Sequence, residues 1–128
     1  MNPGVDIEGT HAALLASGGS PLISGNAFTS NKRGIYLSGS AQANIKANTF
    51  TNHTDYAITQ SSGAAAFVSN SGSSNTGNAI LLSSNLGITG ATTTLVANTL
   101  PFALSGAVTI PQNSAIAIEK GTVIKGTD

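Results

Sequence analysis

One column of ionisable side chains stands out in the first half of the chain. His11, Arg33 and Asp55 follow one another at intervals of 22 residues. If the chain stacks one copy of a unit on the next at this interval, the three side chains would share one side of the molecule. Such a trio could bind a sugar or perform acid–base chemistry. The simpler interpretation is an exposed charge ladder, in which an Arg33–Asp55 pair contributes under about 1 kcal/mol.

An aromatic ring lies close to this column. Tyr36 could face outward and stack on a sugar ring, or it could pack inward in the column of Leu14. The binding candidates are therefore His11, Arg33, Asp55 and Tyr36. None of them is predicted to be catalytic.

A second group of acids occurs near the start of the chain. Asp6 and Glu8 would point to the same face of a strand, about 6.6 Å apart. This separation lies at the lower edge of the range of about 6.5–9.5 Å for inverting glycosidases. Two carboxylates could also contribute to a calcium site, but calcium requires six to eight oxygens. Only Asp55 joins them in the repeat region, so the sequence argues against a lyase.

Metal and cofactor sites have even less support. The chain has no cysteine, and His11 and His53 fall in different columns of a 22-residue repeat. The glycine-rich stretches match no phosphate-binding loop. We therefore expect neither a metal nor a cofactor.

The elements that would position these residues come from an internal repeat. The stretch ISGNAFTSN (23–31) recurs as IKANTFTNH (45–53), and no helical period is sustained anywhere. A period of this length without helix predicts a parallel β-helix, with one turn per copy and equivalent residues stacked in columns. The predicted columns are Ile23, Ile45 and Val68 in the interior, Phe28 over Phe50, and an amide ladder of Asn26 and Asn48. Asn would also supply the left-handed backbone of the corner.

The repeat predicts how the chain is divided. Equivalent positions in successive copies are occupied by Ala13, Ile35, Ile58 and Ile80. They predict about four to five rungs, with repeats in residues 1–90. Beyond residue 90 the repeat pattern is lost, so residues 91–105 are interpreted as a linker or an irregular rung. Residues 106–128 alternate apolar and polar positions and predict a C-terminal β segment. This segment would cap the solenoid or begin a further module.

Two stretches carry a resemblance to a known family. SPLISGNAFTSNKRGIYLSGS (20–40) and ANIKANTFTNHTDYAI (43–58) resemble the right-handed parallel β-helix repeat of the pectin-lyase-like superfamily, over about residues 5 to 90. The segment GTVIKG (121–126) is similar to the opening of a β-helix in bacterial surface proteins. The resemblance implies the fold. It does not imply one activity, because this fold hosts lyases, hydrolases, adhesins and scaffolds.

Composition narrows the function. Charged residues make up 8% of the chain, and five basic residues balance five acidic ones. No electrostatic field therefore exists to attract nucleic acid. The apolar runs are too short for membrane insertion. With 40% hydrophobic residues and a mean hydropathy of +0.15, the chain is not expected to be disordered.

These observations predict a non-catalytic structural or adhesive module. We expect an extracellular or cell-surface location, as part of a longer secreted chain. Terminal rungs have unpaired backbone edges, so head-to-tail self-association is expected, together with a polysaccharide as a further partner. The alternative is a fragment of a polysaccharide lyase or glycoside hydrolase.

Overall fold

The computed structural model describes residues 12–83 and 90–127. The candidates His11, Asp6 and Glu8 lie outside these residues. The described residues contain no helix long and apolar enough to cross a membrane. They form strands β1 (Ala12–Ala16), β2 (Leu22–Ser24), β3 (Ala27–Thr29), β4 (Arg33–Leu37), β5 (Asn44–Lys46), β6 (Thr49–Thr51), β7 (Tyr56–Gln60), β8 (Ala66–Val68), β9 (Ser71–Ser73), β10 (Gly77–Leu82), β11 (Thr92–Leu95), β12 (Phe102–Leu104), β13 (Ala115–Ile118) and β14 (Ile124–Gly126).

The strands stack in parallel sheets that run along one axis. The largest sheet has the order β1-β4-β7-β10-β12-β14, and two further sheets have the orders β2-β5-β8 and β3-β6-β9. A fourth, two-stranded sheet joins β11 to β13. Each strand pairs with its equivalent about 22 residues away. The chain is thus a parallel β-solenoid of about five turns, which confirms the predicted fold.

Stacked apolar side chains fill the interior. In the largest sheet, Ile35, Ile58 and Ile80 lie in register and have no exposed surface. The sheet β2-β5-β8 forms the second side of the solenoid, and the sheet β3-β6-β9 forms the third side. On the third side, the rings of Phe28 and Phe50 stack with centroids 5.1 Å apart and planes 9° from parallel. The predicted phenylalanine column is therefore confirmed. Because equivalent residues recur one rung apart, the core is continuous along the axis.

One interior column differs from the prediction. Ile23 pairs with Ile45 as predicted, but Ile45 pairs with Phe67 rather than Val68. Phe67 is buried, whereas Val68 is 40% exposed. The prediction that Val68 lies in the core is wrong. The alignment used for it carried one extra residue from an earlier loop into this strand.

That extra residue lies in the loop between β4 and β5. This loop has six residues (38–43), whereas the loops from β1 to β2 (17–21) and from β7 to β8 (61–65) have five. The largest sheet is therefore offset by 21 residues and then by 23, while the second sheet keeps 22 throughout. As a result Leu14, and not Ala13, pairs with Ile35.

The repeat spacing also continues past residue 90 in the largest sheet. Ile80 pairs with Phe102, and Phe102 pairs with Ile124, at intervals of 22 residues. The expectation that the pattern ends at residue 90 is wrong for this sheet. Residues 91–105 contain β11 and β12, and residues 106–127 contain β13 and β14. The sequence obscured this continuity because the Asn-x-Phe motif of the third side does not recur here.

The corners have a different backbone from the one predicted. Gly25, Ala47 and Ser69 adopt left-handed conformations at the end of the second side, with φ of 70°, 54° and 56°. The ladder residues Asn26 and Asn48 follow directly and are not left-handed. The turn therefore uses the residue before each asparagine, and the asparagine side chain is left free to bond along the axis.

Candidate functional site

The predicted charged column contains a closed ion pair. The Arg33 guanidinium lies 2.8 Å from Oδ2 of Asp55, with 19% and 27% of the two side chains exposed. The other carboxylate oxygen, Oδ1, accepts a hydrogen bond from the Tyr56 backbone N–H at 2.9 Å. Both oxygens of Asp55 are therefore occupied. Arg33 pairs across the sheet with Ala12, and the third predicted member, His11, lies outside the described residues.

Tyr36 lies next to this ion pair on the outer face of the largest sheet. Its neighbours in the strand, Ile35 and Leu37, are fully buried, while Tyr36 is half-buried. It pairs with Leu15 in the preceding rung, and not with Leu14. The carbon at the centre of the Arg33 guanidinium lies 5.5 Å from the centroid of the Tyr36 ring, which is within reach of a cation–π contact. Of the four candidates, the structure brings Arg33, Asp55 and Tyr36 together.

The amide ladder is present and is longer than predicted. Oδ1 of Asn48 accepts hydrogen bonds from the backbone N–H and from Nδ2 of Asn26, at 2.9 and 3.3 Å. Oδ1 of Asn70 accepts the same two hydrogen bonds from Asn48, and Oδ1 of Asn98 accepts them from Asn70. Asn48 and Asn70 are buried and donate their remaining proton to strand carbonyls. This satisfies the buried polar groups and explains the type of residue at the corner.

A second polar column follows five residues later and was missed. Asn31, His53 and Asn75 stack at intervals of 22 residues, with His53 where an asparagine stands in the rungs on either side. The His53 backbone N–H donates to Oδ1 of Asn75 at 3.0 Å, and Asn75 donates to the Phe50 carbonyl at 2.9 Å. A signal was available, since Asn31 and Asn75 lie two intervals of 22 residues apart.

His53 is the only histidine among the described residues, and it is buried. Nδ1 accepts a hydrogen bond from the Asn31 backbone N–H at 3.2 Å, and Nε2 has no partner among the residues described. Burial lowers the pKa of His53 below its ordinary value of 6.5, and backbone interactions with Asn31 and Phe28 offset part of this effect. The imidazole is therefore neutral at pH 7.

A shallow surface cavity of about 340 Å³ lies where the second side is interrupted between β8 and β11. Gln42, Asn44, Thr92 and Thr94 contribute to its walls, together with the alanines at 64–66. It contains no charged residue and lies apart from the Arg33 corner. Nowhere in residues 12–83 and 90–127 do three or more His, Cys, Asp or Glu side chains converge in a way that could hold a metal ion.

The last described strand of the largest sheet is β14, which contains Ile124 and Lys125. β14 pairs with β12 on one side and has no described strand on the other. All of its residues are exposed, and the C-terminal segment carries further exposed apolar side chains. These exposed residues are Ile110, Ile118, Val123 and Ile124. We call them, with β14, the C-terminal edge.

Fold and sites define a class, the parallel β-solenoids with polar ladders at their corners. A family model described as "right handed beta helix region" matches residues 4–127. The chain belongs to this family, which confirms the resemblance found in the repeats. Comparisons with curated proteins and with solved structures find no match.

Proposed function

We propose that this protein is a non-catalytic structural or adhesive module at the cell exterior, and that it associates end to end. The observation that carries this proposal is the C-terminal edge. An exposed strand without a covering element presents unpaired N–H and C=O groups to another chain. The apolar side chains of Ile118, Val123 and Ile124 would be removed from water in the same contact.

The low charge of the chain supports association. Five basic and five acidic residues give no net charge, so long-range repulsion between copies is small. A contact between unlike ends repeats without closing and would produce filaments. This arrangement would suit a structural role on a surface.

The Arg33 corner supports the non-catalytic part of the proposal. A carboxylate that acts as a general acid or base must present an oxygen to the substrate. Both oxygens of Asp55 are already bonded, to Arg33 and to the Tyr56 backbone. Tyr36 is half-buried on the outer face of the largest sheet, so a glycan-stacking role stays within the proposal.

The association is tested by light scattering over a concentration series. We expect the apparent mass to rise with concentration, and Ile124→Lys to abolish the rise, because a lysine on an edge strand opposes pairing. Val68→Lys is the matched control, because Val68 is 40% exposed on β8, away from the first and last rungs. A monodisperse monomer at high concentration, or an equal effect of both variants, would contradict the proposal.

The non-catalytic part has its own measurement. With acidic polysaccharides such as polygalacturonate or alginate, with and without added calcium, we expect no unsaturated product. Formation of such a product by the wild-type chain, and its loss in Asp55→Asn, would show that the Arg33 corner is an active site.

A further inference from the structure

The column of Asn31, His53 and Asn75 contains one residue that can change its charge near neutral pH. Side chains in this column form hydrogen bonds along the axis. Oδ1 of Asn75 accepts one from the backbone N–H of His53 in the preceding rung. His53 fills the same role with Nδ1, which accepts from the Asn31 N–H. An asparagine oxygen accepts at every pH, whereas an imidazole nitrogen accepts only while it is unprotonated.

The hydrogen bond between His53 and Asn31 requires one protonation state of the imidazole. Because Nδ1 accepts a hydrogen bond from the Asn31 backbone N–H, the proton of the neutral ring is assigned to Nε2. Protonation of Nδ1 would place an N–H against the N–H of Asn31. The new donor would face the Asn31 carbonyl, which is also 3.2 Å away, so this contact between the rungs would remain. The Asn31 N–H, however, would lose its acceptor.

We propose that the contact between His53 and Asn31 is a pH-sensitive latch, which is complete at neutral pH and is weakened in mild acid, when the Asn31 N–H loses its acceptor. The backbone hydrogen bonds at this corner, such as that from the Thr54 N–H to the Asn31 carbonyl, keep the two rungs together. This inference goes beyond the structural role proposed above and does not depend on self-association. The latch is selective in position, because the Asn26 column on the same side contains only amides.

The charged groups around His53 do not stabilise a protonated imidazole. The three stacked corners comprise residues 26–34, 48–56 and 70–78, and their charged side chains are Lys32, Arg33 and Asp55. Asp55 is already bonded to Arg33, so it is not available to balance a charge on His53. The ring is 1% exposed, so water cannot solvate the imidazolium.

The direction of the pH effect follows from linkage. In the unfolded chain His53 titrates near 6.5, and burial lowers the pKa in the folded chain. Between these two values the unfolded state binds more protons, so folding stability decreases as the pH falls below about 6.5. Above that pH the full stability is present.

The test uses the full chain and its two histidine positions. Thermal midpoints are measured from pH 8 to pH 5, a range above the ordinary pKa of carboxyl groups, about 4. We expect the midpoint of the wild type and of His11→Asn to fall by more than about 3 °C. We expect His53→Asn, which restores an amide to the column, to show a smaller fall or none. An equal fall in His53→Asn would overturn the proposal.

A second measurement remains decisive if His53→Asn fails to fold. The variant His11→Asn leaves His53 as the sole histidine, so its ring resonances can be followed by NMR. We expect the Nε2–H tautomer at pH 8, a pKa below 6.5, and loss of the Asn31 amide's hydrogen-exchange protection as the ring protonates. An ordinary pKa, or Asn31 protection that does not change as the ring protonates, would contradict the latch.

Discussion

The first three rungs and the last two use the same largest sheet but differ on the other sides. Residues 12–76 form three sides, with two polar columns and a stacked pair of phenylalanines. Residues 77–83 and 90–127 continue the largest sheet through β10, β12 and β14, and within these described ranges no strand joins the third side. The largest sheet therefore sets the axis, while the corner motif decides how many sides a rung has.

The change begins at a single position. Phe28 and Phe50 pair in register, and the next residue in the column is Gly72. The missing ring leaves room for Leu100, which is fully buried and whose Cδ2 would lie 2.8 Å from a Cβ at Gly72. The fourth rung thus closes the third side with Leu100 in place of a strand.

The largest expected effect comes from removing a ring of the first region. Phe50→Ala should cost about 3–5 kcal/mol of unfolding free energy, because Phe50 is fully buried under Phe28. Ile118→Ala in the last rungs should cost under about 0.5 kcal/mol, since Ile118 is 58% exposed. Chemical denaturation measures both. Similar costs would show that the two regions are equally well packed.

Restoring the repeat motif at Gly72 would sharpen the comparison. By sequence, Gly72→Phe completes the Asn-x-Phe pattern, but Leu100 and Asn78 occupy the space. We expect a loss of about 3 kcal/mol, at the upper end of the usual cost of overpacking. Gly126→Phe is the control, because nothing lies within 4 Å of a Cβ there. A rise in the melting temperature of Gly72→Phe would mean that the third side can be extended.

The amide ladder should show a smaller effect. Asn48→Ala leaves the Asn26 N–H and the Ile23 carbonyl without their partner, at a cost of about 1–3 kcal/mol. Asn44→Ala changes an exposed residue that pairs with Leu22 and belongs to no ladder. Thermal unfolding of the two variants gives the comparison. Equal shifts would remove the energetic role of the column.

The smallest effect is a gain in stability. Ala47 is left-handed, with φ of 54°, where Gly25 stands in the preceding rung. Ala47→Gly should stabilise by about 0.5–1 kcal/mol, because relief of strain exceeds the entropy added to the unfolded chain. Asn113→Gly in the last rungs should gain less, because asparagine tolerates its φ of 58°. A loss of stability in Ala47→Gly would contradict this balance.

The sequence was a good guide wherever one residue type recurs at one interval. Ile23 and Ile45, and Phe28 and Phe50, identified the sides and the rise, because stacking requires like residues above one another. It misled where a loop changed length. The additional residue before β5 changes the interval between paired residues in the largest sheet but not in the sheet β2-β5-β8. A single alignment interval therefore could not predict the partners of both Leu14 and Phe67.

The sites were harder to predict than the fold. The spacing of Arg33 and Asp55 brought the right two residues together, because both follow a corner in consecutive rungs. His53 was not recognised as a ladder residue, since its type hides the amide pattern of Asn31 and Asn75. A position is recognised by its role in hydrogen bonding, and that role becomes visible only when the backbone N–H groups are placed.

The amide ladder gives the solenoid a direction. Asn26, Asn48 and Asn70 each donate one side-chain N–H to Oδ1 of the asparagine in the following rung, so these amide dipoles are aligned and polarise one another. Such a column has a donor-rich end and an acceptor-rich end, as a helix does. Extending it past Asn98 would require an incoming oxygen, and a second copy turned end for end would bring donors against donors.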